Sequence, residues 1–316
     1  MITALFSIIA GLLLLVKGAD WLVTGASSLA SRLGIRPIVI GLTVVAFGTS
    51  APELIVNLFA AFGGSVDIAI GNIIGSNIAN ILLILGISAL VHPLIVKGGT
   101  VWKEIPFALL AMVLVWLMAN DILIAGGAAN ILDRIDGFVY MAFFIIFLFY
   151  TYGISKTDGK ADPVELLTLR KTIFLVSGGL VALILGGKLT VDGAVVIAQF
   201  IGITERVIGL TVIAIGTSLP ELVTSVVASY RRHADIAIGN VVGSNIFNVF
   251  WILGVSAVIR PLPFSAQNSF DTLIAIAATG VLLLAMFIGK RHTLERWQGG
   301  AFIFGYVAYL GFVLFT

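Results

Sequence analysis

Two glutamates, Glu53 and Glu221, stand inside long apolar stretches, and each carries the same polar company. Gly48-Thr49-Ser50-Ala51-Pro52-Glu53 is answered by Gly216-Thr217-Ser218-Leu219-Pro220-Glu221. Further on, Gly71-Asn72, Gly75-Ser76-Asn77 and Asn80 are answered by Gly239-Asn240, Gly243-Ser244-Asn245 and Asn248. Carboxylates, hydroxyls, amides and main-chain carbonyls are hard oxygen ligands suited to Na⁺ or Ca²⁺. With no Cys and no His nearby, soft transition metals are poorly served. A carboxylate at membrane depth is costly, and it marks an ion or proton path more often than a packing site.

Spacing turns these residue types into a cluster. Pro52 has no N–H to give the Gly48 carbonyl, and its ring clashes there. Ala51, preceding a proline, is pushed away from helical geometry. The helix is therefore predicted to kink or break between Gly48 and Pro52, freeing carbonyls around Ala46, Phe47 and Gly48. Such carbonyls are tolerated at membrane depth only when buried in protein or turned onto a cavity or ion. Thr49 and Glu53 are i, i+4, and Ser50 and Glu53 are i, i+3, so their oxygens share neighbouring faces. Asn72, Ser76 and Asn80 follow at i, i+4, i+8 as one polar stripe, with Asn77 beside it; Asn240, Ser244, Asn248 and Asn245 repeat the pattern. Gly71 to Gly75 and Gly239 to Gly243 are small-xxx-small spacings that let helices approach closely. A kink used for packing alone would not need a glutamate beside it, twice.

Both clusters belong to one repeat. Residues 41–94 align with 209–262 at a constant offset of 168 without gaps, with 30 identities in 54 positions, and residues 11–41 align with 179–209 at the same offset. Hydrophobic residues make up 59% and charged residues 11% of the chain. Soluble domains carry about a quarter charged residues, so the chain is read as a polytopic all-α membrane protein. Ten apolar runs are long enough to span a bilayer: 2–25, 37–61, 67–91, 104–120, 131–151, 172–200, 205–229, 235–259, 268–288 and 297–315. The apolar N-terminus lacks a basic leader and a small-residue cleavage site, so it is read as the first span. The polar stretch 152–171 separates a first five-helix repeat, 1–151, from a second, 172–316.

Five spans per half is odd, so the second half must enter from the opposite side. Only Arg134, Arg206 and Arg260 fall on the side of the N-terminus, whereas thirteen Lys and Arg fall on the other side. The positive-inside rule makes that second side cytoplasmic. Both termini are then extracytoplasmic and the 152–171 linker is cytoplasmic. Asp67 and Asp235 start helices and are predicted N-caps. Lys17 with Asp20, and Lys188 with Asp192, have intrahelical ion-pair spacing.

With these two motifs the chain resembles the cation/calcium exchanger superfamily, and within it the prokaryotic sodium/calcium exchangers. The likeness is strong over 11–94 and 179–262, whereas helices 4, 5, 9 and 10 match only by count and hydropathy. It implies a ten-helix fold with helices 2, 3, 7 and 8 at its centre, and helices 1 and 6 sliding past them as a gate. It implies ligands at Ala46 (carbonyl), Thr49, Ser50, Glu53, Ser76 and Asn80, and at Ala214 (carbonyl), Thr217, Ser218, Glu221, Ser244 and Asn248. Some microbial relatives carry Asp where this chain has Asn248, so a third acid is missing here and coupling to protons at that position is disfavoured.

The resulting expectation is a cell-membrane antiporter that expels Ca²⁺ as Na⁺ enters, with an H⁺/Ca²⁺ or other divalent cation exchanger as the alternative. Two ionised glutamates are neutralised by one Ca²⁺ or by two Na⁺, so either load suits the site. A channel fits less well, because inverted repeats with broken helices favour alternating access. An intramembrane enzyme would need a nucleophile–base pair or metal triad, and none is visible. The expected partners are Ca²⁺, Na⁺ and the lipid bilayer, with no cofactor, no nucleic acid and no obligatory protein partner.

Overall fold

The computed structural model describes residues 2–63, 66–155, 166–200 and 214–315. Seven of its helices are long and apolar enough to cross a membrane, and a broken pair, Pro37–Thr49 with Ala51–Gly63, raises the number to eight among the described residues. In the first half, α1 (Ile2–Leu33) is followed by α2 (Pro37–Ile40), a π-helical stretch Gly41–Val45, α3 (Ala46–Thr49) and α4 (Ala51–Gly63). α5 (Val66–Ala79) runs through a π-helical stretch Asn80–Ile84 into α6 (Leu85–Val91). α7 (Ile105–Ala119), α8 (Asp121–Ala125) and α9 (Arg134–Ser155) complete it.

The second half repeats the order with α10 (Leu169–Phe200), α11 (Ala214–Thr217), α12 (Leu219–Tyr230), α13 (Ala234–Ile246), a π-helical stretch Phe247–Leu253 and α14 (Gly254–Ile259). α15 (Ala266–Ala285) and α16 (Arg296–Phe315) end it. Of the span expected over 205–229, residues 205–213 lie outside the described residues, as do 156–165 of the linker and the Asp67 side chain. Four two-residue strands tie the halves together. β1 (Leu94–Ile95) pairs antiparallel with β4 (Thr293–Leu294), and β2 (Ile131–Leu132) with β3 (Leu262–Pro263).

The relation between the halves is visible in the longest helix pair. Ser7 Oγ donates to Leu189 O, and Ser28 Oγ lies 3.0 Å from Thr172 Oγ1. Between these contacts, Gly11 faces Gly186 and Gly18 faces Gly179. As numbers rise along α1 they fall along α10, so the two helices are antiparallel. They are also repeat equivalents. Equivalent helices that run antiparallel are related by a two-fold axis perpendicular to them, which passes close to the fully buried Leu15 and Leu183.

The buried face of this bundle is centred on α5–α6 and α13–α14 with their π-helical stretches, where 78% of each span's apolar window is buried, against 28% for α1 and α10. Phe6, Phe59, Phe149, Phe174 and Phe304 point outward and are largely exposed. In water such a surface would be an aggregation site, whereas against lipid it costs nothing. Glycine allows the α1–α10 contact: a Cβ on Gly186 would lie 2.8 Å from Gly11 O and from Leu15 N.

Two minor expectations resolve differently. Asp235 does not cap α13; His233 is the capping residue, without a side-chain bond, and Asp235 is ion-paired with Lys97 instead. A lysine held close by β1 offers a full charge, which outcompetes a backbone N–H for the carboxylate. Lys188 and Asp192 do pair within their helix at 2.9 Å, and Lys17 lies 3.8 Å from Asp20.

Gly186→Ala pushes a methyl group into the α1 backbone, and overpacking of this kind costs about 1–3 kcal/mol. A lowered melting temperature of the purified variant in detergent is the expected result. An unchanged melt would mean that the two helices are not in contact here.

Candidate cation site

Ser50 interrupts the second span. Its φ of −81° and ψ of 8° lie outside helical geometry, and the flanking pieces bend by 47°. Ser218 does the same between α11 and α12, at φ −87° and ψ 5°. Each break falls two residues before a proline, as the missing N–H and the pre-proline clash require. The breaks place Glu53 and Glu221 in the first turns of α4 and α12. Free N–H groups and the helix dipole favour negative charge at such positions.

The carbonyl at Ala46 is not set free by the break, contrary to the prediction. It accepts the Ser50 N–H at 2.9 Å, and Thr49 Oγ1 lies 3.3 Å from it. Proline removes the partner of Gly48, two residues later, and leaves the Ala46 bond intact. Its equivalent, Ala214, opens α11.

Across the molecular centre the polar groups bind one another in reciprocal pairs. Ser50 Oγ donates to Glu221 Oε1 at 2.8 Å, and Ser218 Oγ donates to Glu53 Oε1 at 3.2 Å. Ser50 Oγ lies 2.9 Å from Ser244 Oγ, and Ser218 Oγ lies 3.2 Å from Ser76 Oγ. Thr49 Oγ1 donates to Asn240 Oδ1 at 2.9 Å, and Thr217 Oγ1 to Asn72 Oδ1 at 3.4 Å. Asn80 Nδ2 donates to Asn245 Oδ1 and Asn248 Nδ2 to Asn77 Oδ1, both at 2.9 Å. Asn77 and Asn245 exchange side-chain-to-backbone bonds of 3.3 Å each way. Each of these bonds joins one half to the other, and each has a mate.

The serines, threonines, glutamates and distal asparagines named from the sequence thus meet in one place. Glu53, Glu221, Asn80 and Asn248 are each 1% exposed. Asn80 opens one π-helical stretch and Asn248 sits at the second position of the other; such widened turns recur at functional sites. Asn77 and Asn245, read only as neighbours of the stripe, hold the two amides in orientation. Asn57, absent from the predicted ligands, stands one turn beyond Glu53 and is fully buried; its legible signal is a second polar side chain in an otherwise apolar helix.

Four atoms complete the pattern. Glu53 Oε2, Glu221 Oε2, Asn80 Oδ1 and Asn248 Oδ1 are buried and have no hydrogen-bond partner among the described residues. All four are acceptors. An unpartnered buried acceptor costs about 1–3 kcal/mol, and more when charged, and a buried carboxylate needs a counter-charge or a proton. A dehydrated cation is the kind of partner that such acceptors suit. Among the described residues no group of three or more His, Cys, Asp or Glu side chains could hold a metal, so any cation here relies on two carboxylates and neutral oxygens.

The described geometry has close counterparts. A family model described as "Sodium/calcium exchanger protein" matches residues 3–153 and 171–315. A putative antiporter, CaxA, of Alkalimonas amylolytica is 39% identical, with 98% of each chain covered. The sodium/calcium exchanger MaX1 of Methanosarcina acetivorans is 33% identical, again over 98% of each chain. Among solved structures, the sodium-calcium exchanger NCX_Mj soaked with Na⁺ and Sr²⁺ superposes with a TM-score of 0.85 at 33% identity, covering 98% of both chains.

The Asn77–Asn248 side-chain bond tests the geometry without transport. Either single alanine variant leaves the partner's buried amide group unpartnered and is expected to cost about 1–3 kcal/mol. The double variant is expected to cost less than the sum of the two. Additive losses in melts of the detergent-purified protein would show that the residues do not meet.

Proposed function

The chain belongs to the sodium/calcium exchanger protein family, a family of transporters and not of enzymes, and from that premise we propose that this antiporter exchanges Na⁺ for Ca²⁺ at the Glu53–Glu221 centre. Calcium leaves the cell as sodium enters, by alternating access across the cytoplasmic membrane. The observation that carries the reading is the set of four buried, unpartnered acceptors, two of them carboxylate oxygens and two amide oxygens. The proposed ligands are the carboxylates of Glu53 and Glu221, the hydroxyls of Thr49, Ser50, Ser76, Thr217, Ser218 and Ser244, the amide oxygens of Asn80 and Asn248, and the carbonyls of Ala46 and Ala214. Ca²⁺ takes 6–8 oxygens at about 2.3–2.6 Å, and this set supplies them without a soft ligand.

Charge explains why exchange and not leak results. With both glutamates ionised the empty centre carries two uncompensated negative charges at membrane depth, an expensive state that resists translocation. One Ca²⁺ or two Na⁺ removes that penalty, so the loaded centre moves and the empty one stays. The hydroxyls now bonded to carboxylate oxygens rotate readily, since a hydroxyl offers two acceptor lone pairs besides its donor. Ser50 and Ser218 can therefore turn from donating to a glutamate to accepting the cation.

The same reading assigns the topology. Residues 1–151 and 172–316 form two inverted repeats of five spans each, joined by a cytoplasmic linker at 152–171, with both termini extracytoplasmic. The antiparallel packing of the equivalent helices α1 and α10 supports it, as does the excess of Lys and Arg on one side. The chain contains no cysteine, so single-cysteine variants report sidedness directly. A membrane-impermeant maleimide applied to spheroplasts is expected to label Ala128→Cys and not Lys160→Cys; the reverse pattern would invert the topology.

Transport is tested by ⁴⁵Ca²⁺ uptake into Na⁺-loaded proteoliposomes. Uptake is expected to require an outward Na⁺ gradient and to vanish in Glu53→Gln and Glu221→Gln, each of which halves the formal charge of the centre. Uptake driven by a pH gradient and indifferent to Na⁺ would make the protein a proton-coupled exchanger. Near-normal exchange in either variant would remove that glutamate from the site.

A further inference from the structure

The two halves differ one turn beyond the glutamates. One turn beyond Glu221 stands Ser225, whose hydroxyl is fully used: it accepts from Asn240 Nδ2 at 2.9 Å and lies 3.5 Å from Ala237 O. One turn beyond Glu53 the first half has Asn57 instead. Asn57 is completely buried. Its Nδ2 donates to Glu53 O at 3.0 Å, which fixes the amide orientation and turns Oδ1 away from the helix backbone. Oδ1 has no hydrogen-bond partner among the described residues, and neither does Glu53 Oε2. Asn72 Nδ2, the equivalent of the nitrogen that bonds Ser225, is also without a partner, so the bond that closes the second half is not made in the first.

We infer that Asn57 is a cation ligand of one half only, its amide oxygen joining Glu53 Oε2 to form a subsite selective for Na⁺ over Ca²⁺. The inference rests on the exchanger reading of the Glu53–Glu221 centre. Positions i and i+4 bring their Cβ atoms within about 5–6 Å, a span that one cation bridges between two oxygens. One carboxylate and one neutral amide carry a single negative charge, which balances a monovalent ion. Ca²⁺ needs both carboxylates for balance and is drawn to the centre between Glu53 and Glu221, away from Asn57. Ser225 has a shorter side chain whose hydroxyl already accepts from Asn240, so that half has no unpartnered oxygen at this position.

Calorimetric titration of the detergent-purified full chain with NaCl and, separately, with CaCl₂ tests this. Asn57→Leu, similar in shape but without the oxygen, is expected to weaken Na⁺ binding about tenfold, the loss of one ligand to a charged group, with a much smaller change for Ca²⁺. Asn57→Ser, the residue that position 225 shows the fold accepts, is expected to shift Na⁺ affinity in the same direction. Asn57→Asp adds a second charge and is expected to reverse the preference toward Ca²⁺. Equal weakening of both ions in Asn57→Leu and Asn57→Ser would make Asn57 a packing residue, and no change in either would remove it from the ion path. Glu53→Gln separates this failure from the larger one. If that variant loses both ions while the Asn57 variants shift neither selectively, only the subsite falls; if the parent chain binds neither ion, the exchanger reading falls with it.

Discussion

The structure depends on burying two carboxylates where water cannot solvate them. Everything near Glu53 and Glu221 serves to lower that cost without cancelling it. Each glutamate has one oxygen held by a serine of the opposite half and one left open. Full satisfaction by hydrogen bonds would give a stable, inert polar core. Full absence of bonds would leave the pair too costly to fold around. The half-satisfied state is a site whose remaining need is a positive charge.

Duplication supplies the second constraint. A two-fold relation between halves means that each serine, threonine and asparagine finds its partner in the other half, and the partner finds it in return. The orienting bonds between Asn77 and Asn248, and between Asn245 and Asn80, illustrate the economy: the same sequence, read twice, positions both ligands of a pair. The axis passes between the halves, and the bonds around the two glutamates therefore require both halves.

Much of this was legible in the chain itself. Proline, glycine and a glutamate in an apolar run announce a broken helix with a buried charge, since no other local arrangement explains all three. The repeat offset implied a shared centre, because a motif that cannot satisfy its carboxylate alone needs its copy. What stayed hidden was set by tertiary contact. Asp235 reads as a cap until Lys97 arrives from β1, and the Ala46 carbonyl reads as free until the Ser50 N–H is placed. The amide orientations of Asn80 and Asn248 follow from residues about 165–171 positions away, which no local pattern encodes.

Equal in sequence, the halves are unequal in packing. α1 lies along α12, and at its end Arg231 reaches Asp20 and Thr24. The equivalent pair, α10 with α4, has at most marginal contact among the described residues, and Phe59 and Phe62 on α4 stand exposed. Among the described residues, one core helix is thus covered by an outer helix and its equivalent is not. α1 and α10 pack on each other through glycine backbones, and the Arg231 contacts hold α1 against α12. A two-fold operation on these contacts gives the arrangement in which α10 covers α4 and α1 leaves α12, and that is the counterpart state the proposed alternating access calls for.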